Sequence, residues 1–590
     1  MSESNYLGKF LIWREKHLPH RQFVYILSCI IGILSGLAAV LLKNAVHYIQ
    51  HHIEHFIEKT ELPILYIILP VLGIFLTIVF VKYLIKDDIG HGISKILFAI
   101  SKKNGIIKTH NNFSSIIASS FTVGLGGSVG LEAPIVLTGS SLGSWISRLF
   151  RLNFKTTIIL IGCGAAGALA GIFKAPIAAV IFGLEVLMLD LTVWSLIPLL
   201  ISAVSGLTVS YFFLGNGEIF SFQLKEDFVL HNIPYYILLG ILSGFISLYF
   251  TRVSMKVELL CKRIKNTYTR WIIGGALLGV LILLLPPLYG EGYTTLDALL
   301  NNTPQLVAES SIFEGLTSSF WIFALFLALV ITLKVIATAL TTGSGGVGGI
   351  FAPTLFLGGV TGYLLTLIIN ATGITHLAGP NFTLAGMAGM MAGVMHAPLT
   401  AIFLIAEITG GYEMFIPLMI TSTIAFITIM YFEKHSIYHI RLAQRGELMT
   451  HHKDQAVLAL MNIDKVIEND FIKLHPDDRL DNLVKAVSHS NRNIFPVINN
   501  GMLVGIVLLN DIRHIIFNPD MFQSTYVRDL MILPPAYVDP TDKMEDVMRK
   551  FEETGSWNLP VINNGTYIGF LSKSKMFSVY REWLIHLSED

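Results

Sequence analysis

The sequence predicts an all-α polytopic membrane domain built from two repeats with broken helices, followed by a small cytosolic α/β module. Three observations carry that prediction. Of the 590 residues, 53% are hydrophobic and only 14% are charged, a balance far from that of ordinary soluble chains. Apolar runs continue from residue 24 to about 432, after which "EKHSIYHIRLAQRGELMTHHKDQ" (433–455) is polar and basic. The chain also repeats itself, once in the apolar part and once in the tail.

Residues 1–23 form an N-terminal segment in which Lys9, Arg14, Lys16 and Arg21 surround short apolar pieces. No small-residue cleavage site follows the run Val24–Leu42, so a signal peptide is not expected. The basic residues ahead of the first span predict a cytoplasmic N-terminus, with the tail on the same side of a cell membrane. Runs at 24–42, 63–85, 156–185, 193–214, 234–250, 271–288, 320–341 and 413–432 are long enough to cross, since a bilayer requires about 20 apolar helical residues. Stretches 113–142 and 343–369 are broken by Gly and Pro and are predicted to enter partway or as half-helices. Irregular backbone survives at that depth only inside protein or beside a wet cavity. The membrane domain is assigned to 24–445, a linker to 446–468, and two tail modules to 469–522 and 523–590.

Lys+Arg and Asp+Glu number 41 each, so net charge points to no acidic partner, and no nucleic acid is expected to bind. Cys29, Cys163 and Cys261 lie in or beside apolar stretches and give neither a disulfide framework nor a CxxC metal pair. His47, His51 and His55 follow i, i+4 spacing without an acid placed as a base, and no His-Glu-x-x-His string occurs. No metal, cofactor or enzymatic activity is expected.

"GAAGALAGIFKAPIAAVIFGLEV" (164–186) matches "GMAGMMAGVMHAPLTAIFLIAEI" (386–408) at an offset of 222, Pro176 to Pro398. "GLGGSVGLEAP" (124–134) matches "GSGGVGGIFAP" (343–353) at an offset of 219, Pro134 to Pro353. Duplicated halves with segments broken in corresponding places mark transporter-like folds, whose substrate site lies where half-helix N-termini meet. Converging N-termini carry partial positive charge and unpaired N–H groups and suit an anion. Small-residue spacing in 164–171 and 386–393 reads as tight helix packing. Glu132 differs, since a lone carboxylate at membrane depth costs roughly 2.5–3.5 kcal/mol and marks a functional site. In the alignment it stands opposite Phe351. Glu185 and Glu407 recur at the same place in both repeats and suggest a shared structural hydrogen bond to backbone amides.

The tail repeats at an offset of 64: "IFPVINNGMLVGIVLLNDI" (494–512) pairs with "NLPVINNGTYIGFLSKSKM" (558–576). Each copy reads helix, strand, Asn-Asn-Gly turn, strand, helix, since Asn-Gly favours a tight hairpin.

These motifs, in this order, resemble the CLC family of chloride channels and chloride/proton exchangers, with a C-terminal tandem pair of CBS domains. The resemblance implies a homodimer with one pore per subunit, each built from two inverted halves. It makes Glu132 in "GLEAP" (130–134) the gate, a carboxylate that competes with the anion until protonation releases it. It also implies an anion site formed by His91 and Gly92 of "GHGIS", Gly130 and Leu131, Ile350 and Phe351 of "GIFAP", and the hydroxyl of Tyr438. Here His91 replaces the serine and Ser94 the proline of the family's usual Gly-Ser-Gly-Ile-Pro, while Leu131 and Ala133 replace a basic residue and a glycine. Val186 stands where coupled exchangers often carry an internal proton acceptor.

A gated anion channel, with chloride as the ion, is therefore the expected function, and a proton-coupled chloride antiporter on the same fold is the alternative. A CBS-linked magnesium transporter is disfavoured because such a pore needs several inward carboxylates. Adenine nucleotide binding by the tail would use Asp511 and Ser572. Its motif is incomplete in both copies, with Leu508 and Lys575 at the unmatched positions, so a dimer-forming structural role is preferred.

Overall fold

The computed structural model describes residues 13–14, 16–60, 65–87, 89–90, 92–188, 193–215, 217, 228–308, 311, 313, 319–410, 412–444, 463–542, 544–563 and 565–579. The chain divides into two compact units, Met1–Leu448 and Met449–Asp590.

The first unit is helical. Its elements are α1 (His20–Thr60), α2 (Leu65–Val79), α3 (Gly92–Lys102), α4 (Ser114–Gly124), α5 (Glu132–Leu149), α6 (Phe154–Phe173), α7 (Pro176–Glu185) and α8 (Val193–Leu214). They continue as α9 (Ile233–Arg263), α10 (Thr267–Leu284), α11 (Tyr293–Leu300), α12 (Phe320–Gly343), α13 (Phe351–Ala371), α14 (Gly379–Met395), α15 (Pro398–Ile408), α16 (Phe415–Phe432) and α17 (Ile437–Gln444). Among the described residues nine helices are long and apolar enough to cross a membrane. Large apolar side chains such as Ile273, Leu325 and Ile427 stand exposed on them, as expected where lipid is the solvent.

Two predicted segments come out differently. The run 156–185 is not one span but α6 and α7, broken at Lys174, whose φ of 56° is left-handed. Such a residue ends a helix, and Pro176 at the first turn starts the next. The second half breaks identically at His396 (φ 56°) before Pro398. The run 343–369, expected as a half-helix, is irregular only up to Ile350, and α13 is apolar enough over 21 residues to span.

Duplication extends to the contacts. A methyl group on Gly139 of α5 would strike the carbonyl oxygen of Gly164 on α6, and one on Gly358 of α13 would strike that of Gly386 on α14. Gly143 lies against the Leu160 carbonyl as Gly362 lies against that of Phe382. The small-residue stripes thus bring helix backbones together, as close packing in a membrane requires.

The second unit holds one antiparallel sheet in the order β1-β2-β4-β3, with β1 (Ile494–Asn499), β2 (Met502–Leu508), β3 (Asn558–Asn563) and β4 (Thr566–Ser572). Helix α18 (Leu480–His489) and the short α19 (Leu509–Ile512) flank the first hairpin, while α20 (Met544–Thr554) and helical residues 573–579 flank the second. Asn500 (φ 51°) and Gly501 (φ 83°) make the tight turn that the Asn-Gly pair predicts. Both hairpins carry a bulge at the same repeat position, between Val497 and Ile498 and between Val561 and Ile562. Most of the linker assigned to 446–468 lies outside the described residues. Glu468 at its end exchanges backbone hydrogen bonds with Phe570 of β4, and Ile463 and Val466 are buried in the core beneath the second hairpin, so residues 463–468 are part of the module.

Candidate functional site

The site forms where the two Gly-rich loops cross. Helix α4 ends at Gly124 and α12 at Gly343, and each is followed by a reversal at a glycine of positive φ, Gly126 (93°) and Gly345 (114°). That conformation is open to glycine at no steric cost. Each loop is then held by the other half. Ser128 N–H donates to Thr341 Oγ1 at 3.2 Å, and Val347 N–H donates to Thr122 Oγ1 at 3.0 Å. At the crossing, Gly130 N–H donates to Gly349 O at 2.9 Å and Gly349 N–H to Gly130 O at 2.7 Å.

One residue beyond the bridge on each side come Leu131 and Ile350, the N-cap residues of α5 and α13. Neither caps its helix with its own side chain, so the first-turn amides depend on other partners. Glu132 is one such partner. It is 1% exposed, and its carboxylate faces its own N–H and that of Ala352 at the start of α13. Oε1 accepts a hydrogen bond from the Tyr293 hydroxyl at 2.9 Å. Oε2 has no partner at full hydrogen-bond geometry among the described residues. It lies over Gly130, where any Cβ would collide with it. The carboxylate therefore occupies a cradle of amides and missing side chains, as a bound anion would.

Gly92, at the start of α3, packs on the Ala133 carbonyl, and Ser94 Oγ donates to the Tyr438 carbonyl at 3.3 Å. Tyr438 is buried, and its hydroxyl has no partner among the described residues. The Phe351 ring is fully buried, with its centroid 5.9 Å from those of both Phe173 and Phe182. The structure thus brings Gly130, Leu131 and Glu132 together with Ile350 and Phe351 at the crossing, with Gly92 against Ala133 and Tyr438 joined to α3 through Ser94. His91 lies outside the described residues.

Glu185 and Glu407 make the reciprocal caps their repetition suggested. Glu185 accepts from Leu399 N–H (3.2 Å), Thr400 N–H (2.8 Å) and Thr400 Oγ1 (2.7 Å) at the start of α15. Glu407 accepts from Ile177 N–H (3.0 Å) and Ala178 N–H (2.9 Å) at the start of α7. Val186 is buried directly after α7.

The sequence reading named only one carboxylate in the Gly-rich loops. A second, Glu291, stands in "YGEGY" (289–293), whose hydroxyl-bearing Tyr293 reaches Glu132. Lys334, also missed, is fully buried, with Nζ donating to Gly290 O (3.0 Å) and Leu288 O (3.3 Å) and lying 4.7 Å from the Phe356 ring centre. The available signal was the one used for Glu132, a lone charge in an apolar segment.

In the tail, Ser572 Oγ donates to Glu468 Oε2 at 2.5 Å and accepts from Lys575 N–H at 3.1 Å, while Arg492 pairs with Glu468 at 3.0 Å. Asp511 is exposed. Among the described residues no group of three or more His, Cys, Asp and Glu is arranged to hold a metal, and His47 and His51 lie with ring centres 6.3 Å apart.

The Voltage gated chloride channel family matches residues 73–429, more than half of the chain. The chain belongs to that family. CBS domains match at 463–518 and 527–582. Among its relatives the "H(+)/Cl(-) exchange transporter ClcA" of Vibrio cholerae is 28% identical over 413 residues, covering 68% of this chain and 84% of that protein. Two solved structures share the fold. A slow cyanobacterial Cl-/H+ antiporter aligns with a TM-score of 0.62 at 23% identity, over 72% of this chain and 98% of its own. A eukaryotic CLC transporter aligns with a TM-score of 0.61 at 19% identity, over 94% and 97%. In this family member the membrane unit and the CBS module are thus distinct parts of one chain.

Proposed function

We propose that this CLC protein exchanges chloride for protons across a membrane, with Glu132 as the gate that both ions use. One observation carries the reading: the Glu132 carboxylate rests on the amides of the loop crossing, where a transported anion would bind. While ionised, it is held by those dipoles and by the Tyr293 hydroxyl. A proton removes its charge and weakens that hold. The side chain can then leave, and an anion takes the vacated amides of α5 and α13, with the unpartnered Tyr438 hydroxyl as a further donor. A site that admits either an ionised gate or an anion ties the two traffics together. The exchanger name of the Vibrio cholerae relative supports this reading.

A passive channel is the second reading. It is favoured by Val186, buried and apolar where an inner proton acceptor would stand. We further infer pairing of two copies, both termini on the cytoplasmic side, and a tail that modulates flux through its own packing. Ser572, engaged by Glu468, is poorly placed to take a nucleotide.

One experiment separates the readings. The full chain is reconstituted in liposomes under an imposed chloride gradient, and chloride and proton movement are recorded together. Exchange drives protons uphill in fixed proportion to chloride. Chloride flux without proton movement leaves the channel.

A further inference from the structure

The segment Tyr289–Tyr293 is held at Tyr289, Gly290, Gly292 and Tyr293 by the crossing loop at Gly126, by α12, by α13 and by Glu132. The Tyr289 ring fills the space over Gly126. Gly290 N–H donates to Gly126 O at 3.3 Å, and Gly290 O accepts from Lys334. Gly292, with φ of 86°, lies beneath the Phe356 ring. Tyr293 donates to Glu132 Oε1. Glu291 stands between these anchors and cannot swing far from the crossing. Its carboxylate faces the N–H of Leu131, the amide adjoining that of Glu132 at the start of α5.

The charged and titratable groups that face Glu291 come from four elements. They are Glu132 from α5, Lys43 from α1, Lys334 from α12, and the hydroxyl of Tyr293 from α11. Lys334 directs its donors to the carbonyls of Leu288 and Gly290, and Lys43 is itself opposed by Lys174. The two carboxylates therefore compete for one helix N-terminus while repelling each other, the arrangement in which two acids titrate as a pair.

We propose that Glu291 is a second titrating carboxylate of the gate, sharing one proton with Glu132. This rests on reading Glu132 as the gate. Ionised, Glu291 holds the Leu131 amide itself and repels the Glu132 carboxylate. Protonated, it releases that amide to the anion. The step adds one proton to a carboxylate oxygen and later returns it, with no other bond made or broken.

The test is chloride efflux from liposomes as a function of pH, for the full chain and the variants E132Q, E291Q, E291D and the double E132Q/E291Q. The wild-type profile should be broader than a single acid gives. E291Q should narrow it to one titration and move its midpoint down by about 1 pH unit, because a negative neighbour is gone. E132Q should keep a residual single titration that the double variant loses. A profile for E291Q superimposed on wild type, with E132Q altered, overturns the role of Glu291 and leaves the gate standing. An unchanged profile in E132Q overturns both. If E291Q gives no flux, E291D decides: a shifted midpoint supports the pair, and an unmoved one rejects it.

Discussion

The two halves of the membrane unit agree in their supports and disagree where the gate stands. Thr122 holds the loop of the second half and Thr341 that of the first. Glu185 caps α15 while Glu407 caps α7. Gly139 meets Gly164 as Gly358 meets Gly386. Yet where the first half puts Glu132, the second puts Phe351, sealed among Phe173 and Phe182. Duplicated contacts build the crossing, and the Glu132/Phe351 mismatch turns it from a symmetric scaffold into a gated one. The difference teaches that symmetry here serves position, and its breach serves chemistry.

The largest test removes the breach. In E132Q the gate is permanently neutral, so chloride flux should lose most of its rise on acidification. A single gating acid changes its protonated fraction about tenfold per pH unit above its midpoint. The variant should therefore exceed wild type by at least about tenfold at the alkaline end of a liposome flux series.

Next come the matched glycine contacts. G139A and G358A each drive a methyl into a facing carbonyl and should each cost ~1–3 kcal/mol, as overpacking does. Thermal unfolding in detergent should rank them together. A large loss in one and none in the other would show that the halves are not equivalent supports.

The caps offer a finer comparison. E185A and E407A leave helix-start amides without acceptors, those of the buried Thr400 and Ala178 among them, and should each destabilise by ~1–3 kcal/mol. The first should cost about 0.5–1.5 kcal/mol more, for the extra bond from Thr400 Oγ1. Melting curves check the order. Anion selectivity, measured by bi-ionic flux, should stay unchanged in both.

The smallest effect lies outside the repeat. Asp87, in the connection between α2 and α3, pairs with Lys108 and His110 of the connection between α3 and α4, each at 2.9 Å. Burial alone would raise its pKa, but the hydrogen bonds from Lys108 and His110 outweigh that and hold it below the usual range. A depressed acid stabilises the fold above its unfolded pKa, and that contribution fades as pH falls through the folded value. D87N should therefore cost under about 1 kcal/mol near neutrality, and nothing in strong acid. Melting at two pH values reads the difference.

Much of this arrangement was legible in the chain. Offsets of 222 and 219 located the duplicated elements, and an acid between Gly-rich turns located Glu132, because both signals are local. The reading of Glu185 and Glu407 as amide caps followed from their repetition alone. Glu291 and Lys334 were passed over, since Lys334 lies 44 residues beyond the carbonyl of Gly290 that it meets, and neither falls in a repeated motif. The break at Lys174 was also missed: a left-handed lysine has no sequence signature beyond the Ala-Pro that follows it.

By itself the sequence determined that this protein lies in a membrane, is built twice over, and ends in a duplicated α/β module, because hydropathy and repetition are properties of the chain's order. Only the tertiary structure decided which amides the Glu132 carboxylate touches, that Tyr293 holds it, and that each half caps and clasps the other. Those are contacts between residues some 160 to 230 positions apart, fixed by where packed backbones cross, and no local pattern encodes that.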